Sequence, residues 1–162
     1  VNGSASCAVA SLALGVHALG ASYSGDANHL ASVAVPVSHT VLSASVTLLS
    51  TECTLTVVDN TPFTVTATIS GAAPTGSVTF YRDGTAPFCA DTALAQQSAA
   101  CATTLHTVAG HAQDGYALTA AYSGDSANAA SVSAPLAVRV LAASEIVFRD
   151  GFQTAVSGCA LR

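Results

Sequence analysis

The chain has no lysine, no methionine and no tryptophan, and its four arginines, Arg82, Arg139, Arg149 and Arg162, stand singly. Without a basic cluster nothing supplies the positive footprint that phosphate backbones require, and a formal net charge of −5 points the same way. Nucleic acid is therefore not an expected partner. Charged residues make up only 8% of a sequence that is 51% apolar, the opposite of the composition that keeps a chain disordered. Long apolar runs are missing too: Ser, Thr, Gly or Asp interrupts each stretch before it reaches the ~18–20 residues of a membrane span. Helical periodicity, heptads and phosphate loops are lacking, as are Gly-x-Ser-x-Gly elbows and a Ser/His/Asp set with local support. Neither Cys-x-x-Cys nor Cys/His spacing occurs, so zinc is not expected. The sequence reads as non-catalytic, with no cofactor and no metal. With only 6% aromatics, its core must be filled by many small contacts, mostly Ala and Val, that suit strands.

What is present is a repeat. Ala-x-Tyr-Ser-Gly-Asp ends at Asp26 and again at Asp125, 99 residues on, and the match continues without a gap to Val41 and Val140. Leu19/Leu118, Ala21/Ala120, Tyr23/Tyr122, Gly25/Gly124, Val33/Val132 and Pro36/Pro135 correspond. Upstream, Ser4-Ala5-Ser6-Cys7 matches Ser98-Ala99-Ala100-Cys101 at a spacing of 94, so copy two carries five extra residues between Thr104 and Gln113. A period near 100 fits one β-sandwich domain and is too long for a solenoid unit. The counterpart of Cys89 would fall ahead of Val1. The expected organisation is the C-terminal half of a first repeat at 1–42, a complete repeat at 43–141, and a tail at 142–162.

Local patterning supports strands throughout. Ser45–Ser50 and Thr54–Val58 read as one interrupted strand. Thr61–Ser70 alternates cleanly, with Phe63, Val65, Ala67 and Ile69 on one face and threonines on the other. Gly71–Gly76 turns the chain, Ser77–Arg82 returns with Val78 and Phe80 inward, and Asp83-Gly84 signals a tight turn. Short strands follow around Pro87–Ala90 and Ser98–Leu105. Tyr116–Tyr122 forms another, and Ser131–Leu141 the last, with Val132, Leu136, Val138 and Val140 as its alternating apolar positions. About seven strands in about 100 residues predict an all-β antiparallel sandwich.

Pro74–Phe80 (Pro-Thr-Gly-Ser-Val-Thr-Phe), the pair Cys89 and Cys101, and the run Gly115–Asp125 with its match Gly15–Asp26 together resemble the bacterial immunoglobulin-like repeats of large secreted and surface proteins. The resemblance covers 43–141 fully and 1–42 in part. It implies fold more firmly than function, because such repeats serve in adhesins, stalks and spacer modules of enzymes. The tail Ile146–Gln153 (Ile-Val-Phe-Arg-Asp-Gly-Phe-Gln) is similar to the Phe-x-Asp-Gly-Phe-Glu segment that closes many secreted proteins of Gram-negative bacteria, with Gln153 in place of Glu. Two readings stay open for it, a sorting or processing signal and an extra edge strand.

Five cysteines suggest export to an oxidising compartment, outside the cell or on its surface. Cys89 and Cys101 flank a strand–turn–strand and are candidates for a disulfide; Cys53 and Cys159 are candidates for each other; Cys7 is left over. Gly25-Asp26 and Gly124-Asp125 form the repeat-motif turn. Calcium wants roughly 6–8 oxygens, and these turns offer one carboxylate and one amide, so an aspartate capping its own turn is the expectation. His17 stands where copy two has Tyr116, a shared structural position. His29 and His39 give way to Asn128 and Val138, which speaks against a repeat-wide role, and His106 and His111 fall in the loop region. The leading expectation is a stalk or adhesion module partnered by other immunoglobulin-like repeats of its own or neighbouring chains. The alternatives are a fibre subunit assembled by strand complementation, and a ligand- or carbohydrate-binding accessory domain of a secreted enzyme.

Overall fold

The computed structural model describes residues 3–52, 55–107 and 115–141, and the chain divides between Ser43 and Ala44 into two units. Cys53, His111, Cys159 and the 146–153 segment lie outside the described residues. Among the described residues there is no helix, and hence none long and apolar enough to cross a membrane.

The first unit holds β1 (Gly15–Leu19), β2 (Ser22–Tyr23), β3 (Ser32–Val33) and β4 (Val37–Val41). β1 pairs antiparallel with β4 through His17↔His39 and Leu19↔Val37, and β2 with β3 through Ser22↔Val33 and Tyr23↔Ser32. None of its described side chains is buried. Leu30, Val35, Val33, Val16 and Val37 are 93%, 87%, 81%, 71% and 68% exposed.

The second unit is a sandwich. β5 (Val46–Thr51), β7 (Phe63–Ser70) and β10 (Ser98–Thr103) form one sheet in the order β10-β7-β5. The other runs β6-β13-β11-β8-β9, built from β6 (Thr56–Val58), β8 (Ser77–Arg82), β9 (Ala86–Ala93), β11 (Tyr116–Tyr122) and β13 (Leu136–Leu141), with β12 (Ser131–Val132) added on β11. The alternation of β7 does what its sequence requires: Phe63, Val65, Ala67 and Ile69 are all buried, against Val78, Phe80, Leu118, Ala120, Tyr122, Val138 and Val140 of the facing sheet. Burying a side chain of this size contributes about 1.5–3 kcal/mol, so a few phenylalanines and many valines suffice.

Two strands depart from the sequence pattern. The interrupted first strand changes sheets: β5 pairs antiparallel with β7, whereas β6 pairs parallel with β13. The last strand carries a bulge. Ala121 pairs with Val132 but Leu118 with Leu136, so one extra residue intervenes and along the chain the inward set switches from odd to even positions. Val132, in step with the apolar alternation, is 67% exposed, and Ser133 is buried in its place, its Oγ accepting the Ala120 N–H at 3.0 Å.

Candidate functional site

Hairpin chemistry places the cysteines. Gln96 and Gln97 both have positive φ, and Ala95 and Ser98 exchange two backbone hydrogen bonds of 2.8 and 3.0 Å, the geometry of a tight primed turn. Beyond this turn the strands part, β9 to one sheet and β10 to the other, and Cys89 and Cys101 are disulfide-bonded across the gap with Cα atoms 6.3 Å apart. The bond joins the strand–turn–strand the sequence suggested, and it also ties the two sheets together. Cross-linking so short a loop stabilises by about 3 kcal/mol. Cys7 is a free, exposed thiol.

The second constellation surrounds Asp125. Tyr122 ends β11 with its ring buried and donates its hydroxyl to Asp125 Oδ2 at 2.9 Å. Gly124 follows with φ +74, and a Cβ there would lie 2.8 Å from the Ala130 nitrogen, so only glycine fits the turn. Asp125 Oδ1 accepts the N–H groups of Ala127 and Asn128, both at 2.7 Å. Its Oδ2 reaches across to the β7–β8 loop and accepts from the Thr75 N–H at 2.7 Å and the Thr75 hydroxyl at 3.0 Å. Asn128, fully buried, completes the set: Nδ2 donates to both oxygens of Asp125 and to the Ala72 carbonyl, and Oδ1 accepts the Ala72 N–H at 2.7 Å. Gly76 sits where the loop meets the turn, where a Cβ would be 2.8 Å from Ser123 Oγ and 2.9 Å from the Gly124 carbonyl.

A carboxylate offers about four lone-pair sites, and here all are occupied by donors within the protein. The backbone N–H groups of Thr75 and Ala127 hold the Asp125 carboxyl well below the usual range. Burial, then the bond to Asp125, pushes the Tyr122 phenol up to about 12. The carboxylate is thus committed to joining two loops and is a poor general base or ion ligand. Among the described residues no three His, Cys, Asp or Glu side chains group closely enough to hold a metal ion.

Asp26 repeats the local half of this arrangement. Gly25 has φ +82, Asp26 Oδ2 accepts the Tyr23 hydroxyl at 2.7 Å, and Oδ1 accepts the Asn28 N–H at 2.8 Å. His29, at the position of Asn128, bonds Oδ1 through Nδ1 at 2.8 Å. The Tyr23 bond, with those of Asn28 and His29, lowers the Asp26 carboxyl to about 2. The His17 side chain serves the backbone. His17 donates through Nε2 to the Ala13 carbonyl at 2.7 Å, and its counterpart Tyr116 donates to the His106 carbonyl at 2.6 Å. The His106 ring lies 3.8 Å from Asp59, and His39 pairs with His17 across β1–β4.

Thr75, Gly76 and Asn128 are the participants whose role in joining the two loops residue patterning passed over. Thr-Gly ahead of an alternating strand was a signal for the first two, since a hydroxyl beside an obligate glycine marks a close approach. Asn128 was the one amide its turn offered, but nothing marked its reach to Ala72.

No curated protein sequence matches the chain. A family model, that of the bacterial Ig-like domain (group 3), matches residues 48–141, the span from β5 through β13 that forms the sandwich. Its domains are typically non-catalytic and commonly occur in surface or secreted proteins. The disulfide-linked sheets, the bulged last strand and the tyrosine–aspartate turn are thus those of a chain that belongs to the bacterial Ig-like domain (group 3) family.

Proposed function

We propose that the chain is a non-catalytic spacer or stalk module of a secreted or surface-displayed bacterial protein, working as one of several immunoglobulin-like units in tandem. The observation that carries this reading is the commitment of its polar side chains to holding the sandwich closed. Asp125 and Asn128 join two loops, and Cys89–Cys101 joins two sheets. The recurrence at Asp26 of the turn seen at Asp125 supports the tandem element. Residues 1–42 are then the back half of one repeat and 43–141 a complete one. Exposing intact producing cells to protease, with antibody detection of the chain, tests the placement. Loss of the signal from cells, or its presence in the medium, is expected, and protection inside intact cells would contradict it.

Assembly by strand complementation has one observation in its favour, the exposed apolar side chains of the first unit. Carbohydrate binding would call for exposed aromatics. Tyr116 and Tyr122 are buried, Tyr81 is half-buried, and Tyr23 at 45% is spent on Asp26.

A further inference from the structure

The pairing of the first unit reproduces that of the second residue for residue. His17↔His39, Ala18↔Ser38 and Leu19↔Val37 stand 99 positions before Tyr116↔Val138, Ala117↔Ala137 and Leu118↔Leu136. Ser22↔Val33 and Tyr23↔Ser32 likewise precede Ala121↔Val132 and Tyr122↔Ser131. Even the bulge is kept, with the Ala34 N–H on the Ala21 carbonyl as the Ser133 N–H is on that of Ala120, both at 2.9 Å.

What differs is what lies against the hairpin. In the second unit β8 pairs along the other edge of β11, and β7 with β10 covers its face, leaving Leu118 and Ala120 with no exposure. In the first unit Leu19 is 41% exposed, and residues 3–13 form no strand, although Ser4–Cys7 match the start of β10. β10 exists by pairing with β7, and Cys101 within it is bonded to Cys89. Cys7, the match of Cys101, is free and exposed.

We infer that the β1–β2 edge, the apolar face around Leu19 and Tyr23, and Cys7 together form a docking site for the front half of an immunoglobulin-like repeat. That occupant carries a β7-type alternating apolar strand and a β8-type strand, with a cysteine at the Cys89 position that forms an inter-sheet disulfide with Cys7. Two thiols are oxidised to the bond, and their two electrons and two protons pass to a disulfide exchange partner of the oxidising compartment. The occupant is not a second copy of this chain, whose front half is already engaged in its own sandwich with Cys89 bonded. The inference stands on the shared register and not on the spacer role.

Two chimeras test it, both secreted into an oxidising compartment. In the first, residues 44–97 carrying Cys53→Ser are placed ahead of Ser4 of the full chain. In the second, residues 4–42 replace 98–141 in a chain whose original Cys7 is changed to serine, so that the native front half receives the back half of copy one and the grafted Cys7 alone is read. Non-reducing peptide mapping is expected to find Cys89 joined to Cys7, with loss of Cys7 alkylation, in either. Replacing Phe63, Val65 and Ile69 by serine in the added segment should abolish the bond. Cys7 recovered as a free thiol in both chimeras would overturn the proposal, and so would a bond that survives the serine replacements. A dimer of the unaltered chain that shields Cys7 from alkylation would overturn it as well, by making a second copy the occupant.

Discussion

At the scale of single residues, the Asp125 carboxylate joins the Tyr122 turn to the Thr75 loop, and its ionised form is the one that accepts these bonds. Its folded pKa is depressed, so its contribution is present above the unfolded value near 4 and is lost as pH falls through the lower folded value. Tyr122 has the opposite sense: its phenol is raised to about 12, so its contribution is present below the unfolded value of about 10 and is lost between there and about 12. Melting temperature against pH should therefore fall on both flanks. Asp125→Asn is expected to flatten the acid limb, and Tyr122→Phe the alkaline limb. Limbs unchanged by these variants would assign the pH response elsewhere. Asn128 is a separate case, since its side chain bonds Ala72 with both a donor and an acceptor. Asn128→Ala should cost about 1–3 kcal/mol in chemical denaturation. Little of this network was legible beforehand. Gly-Asp announced a local turn, but the partners Thr75 and Asn128 lie 50 positions away and at a site where copy one has histidine.

At the scale of elements, strands were legible wherever a period of two runs unbroken. Phe63–Ser70 and Tyr116–Tyr122 alternate over their whole length, and the structure gives both. Ser131–Leu141 also alternates on paper, yet the bulge moves Val132 to the outside and Ser133 to the inside, because register depends on a partner strand that the segment itself does not encode. This gives a paired expectation. Ser133→Ala leaves the Ala120 N–H unpaired in the interior and should cost about 1–3 kcal/mol, whereas Val132→Ser, on an exposed face, should change stability by less than about 0.5 kcal/mol. Equal effects would place the bulge wrongly. The spacing of Cys89 and Cys101 suggested a bond but not that it spans two sheets, which depends on where β9 and β10 diverge. Reduction, or Cys89→Ala with Cys101→Ala, should lower unfolding free energy by about 3 kcal/mol without changing the strand signal in the far ultraviolet.

At the scale of the whole molecule, the two units differ in burial far more than in backbone pairing. The same hairpin is present in both, but among the described residues only the second has a facing sheet that removes its apolar side chains from water. Hydrogen bonds in an uncovered two-stranded ribbon are marginal on their own, so local opening of the first unit should be frequent and that of the second rare. Native-state hydrogen exchange on the intact chain compares the two directly in matched segments, 17–26 and 116–125. The amides of 116–125 are expected to exchange only at the rate of global unfolding and those of 17–26 orders of magnitude faster, while equal protection of both would contradict a closed Ig-like sandwich in one unit and an uncovered hairpin in the other.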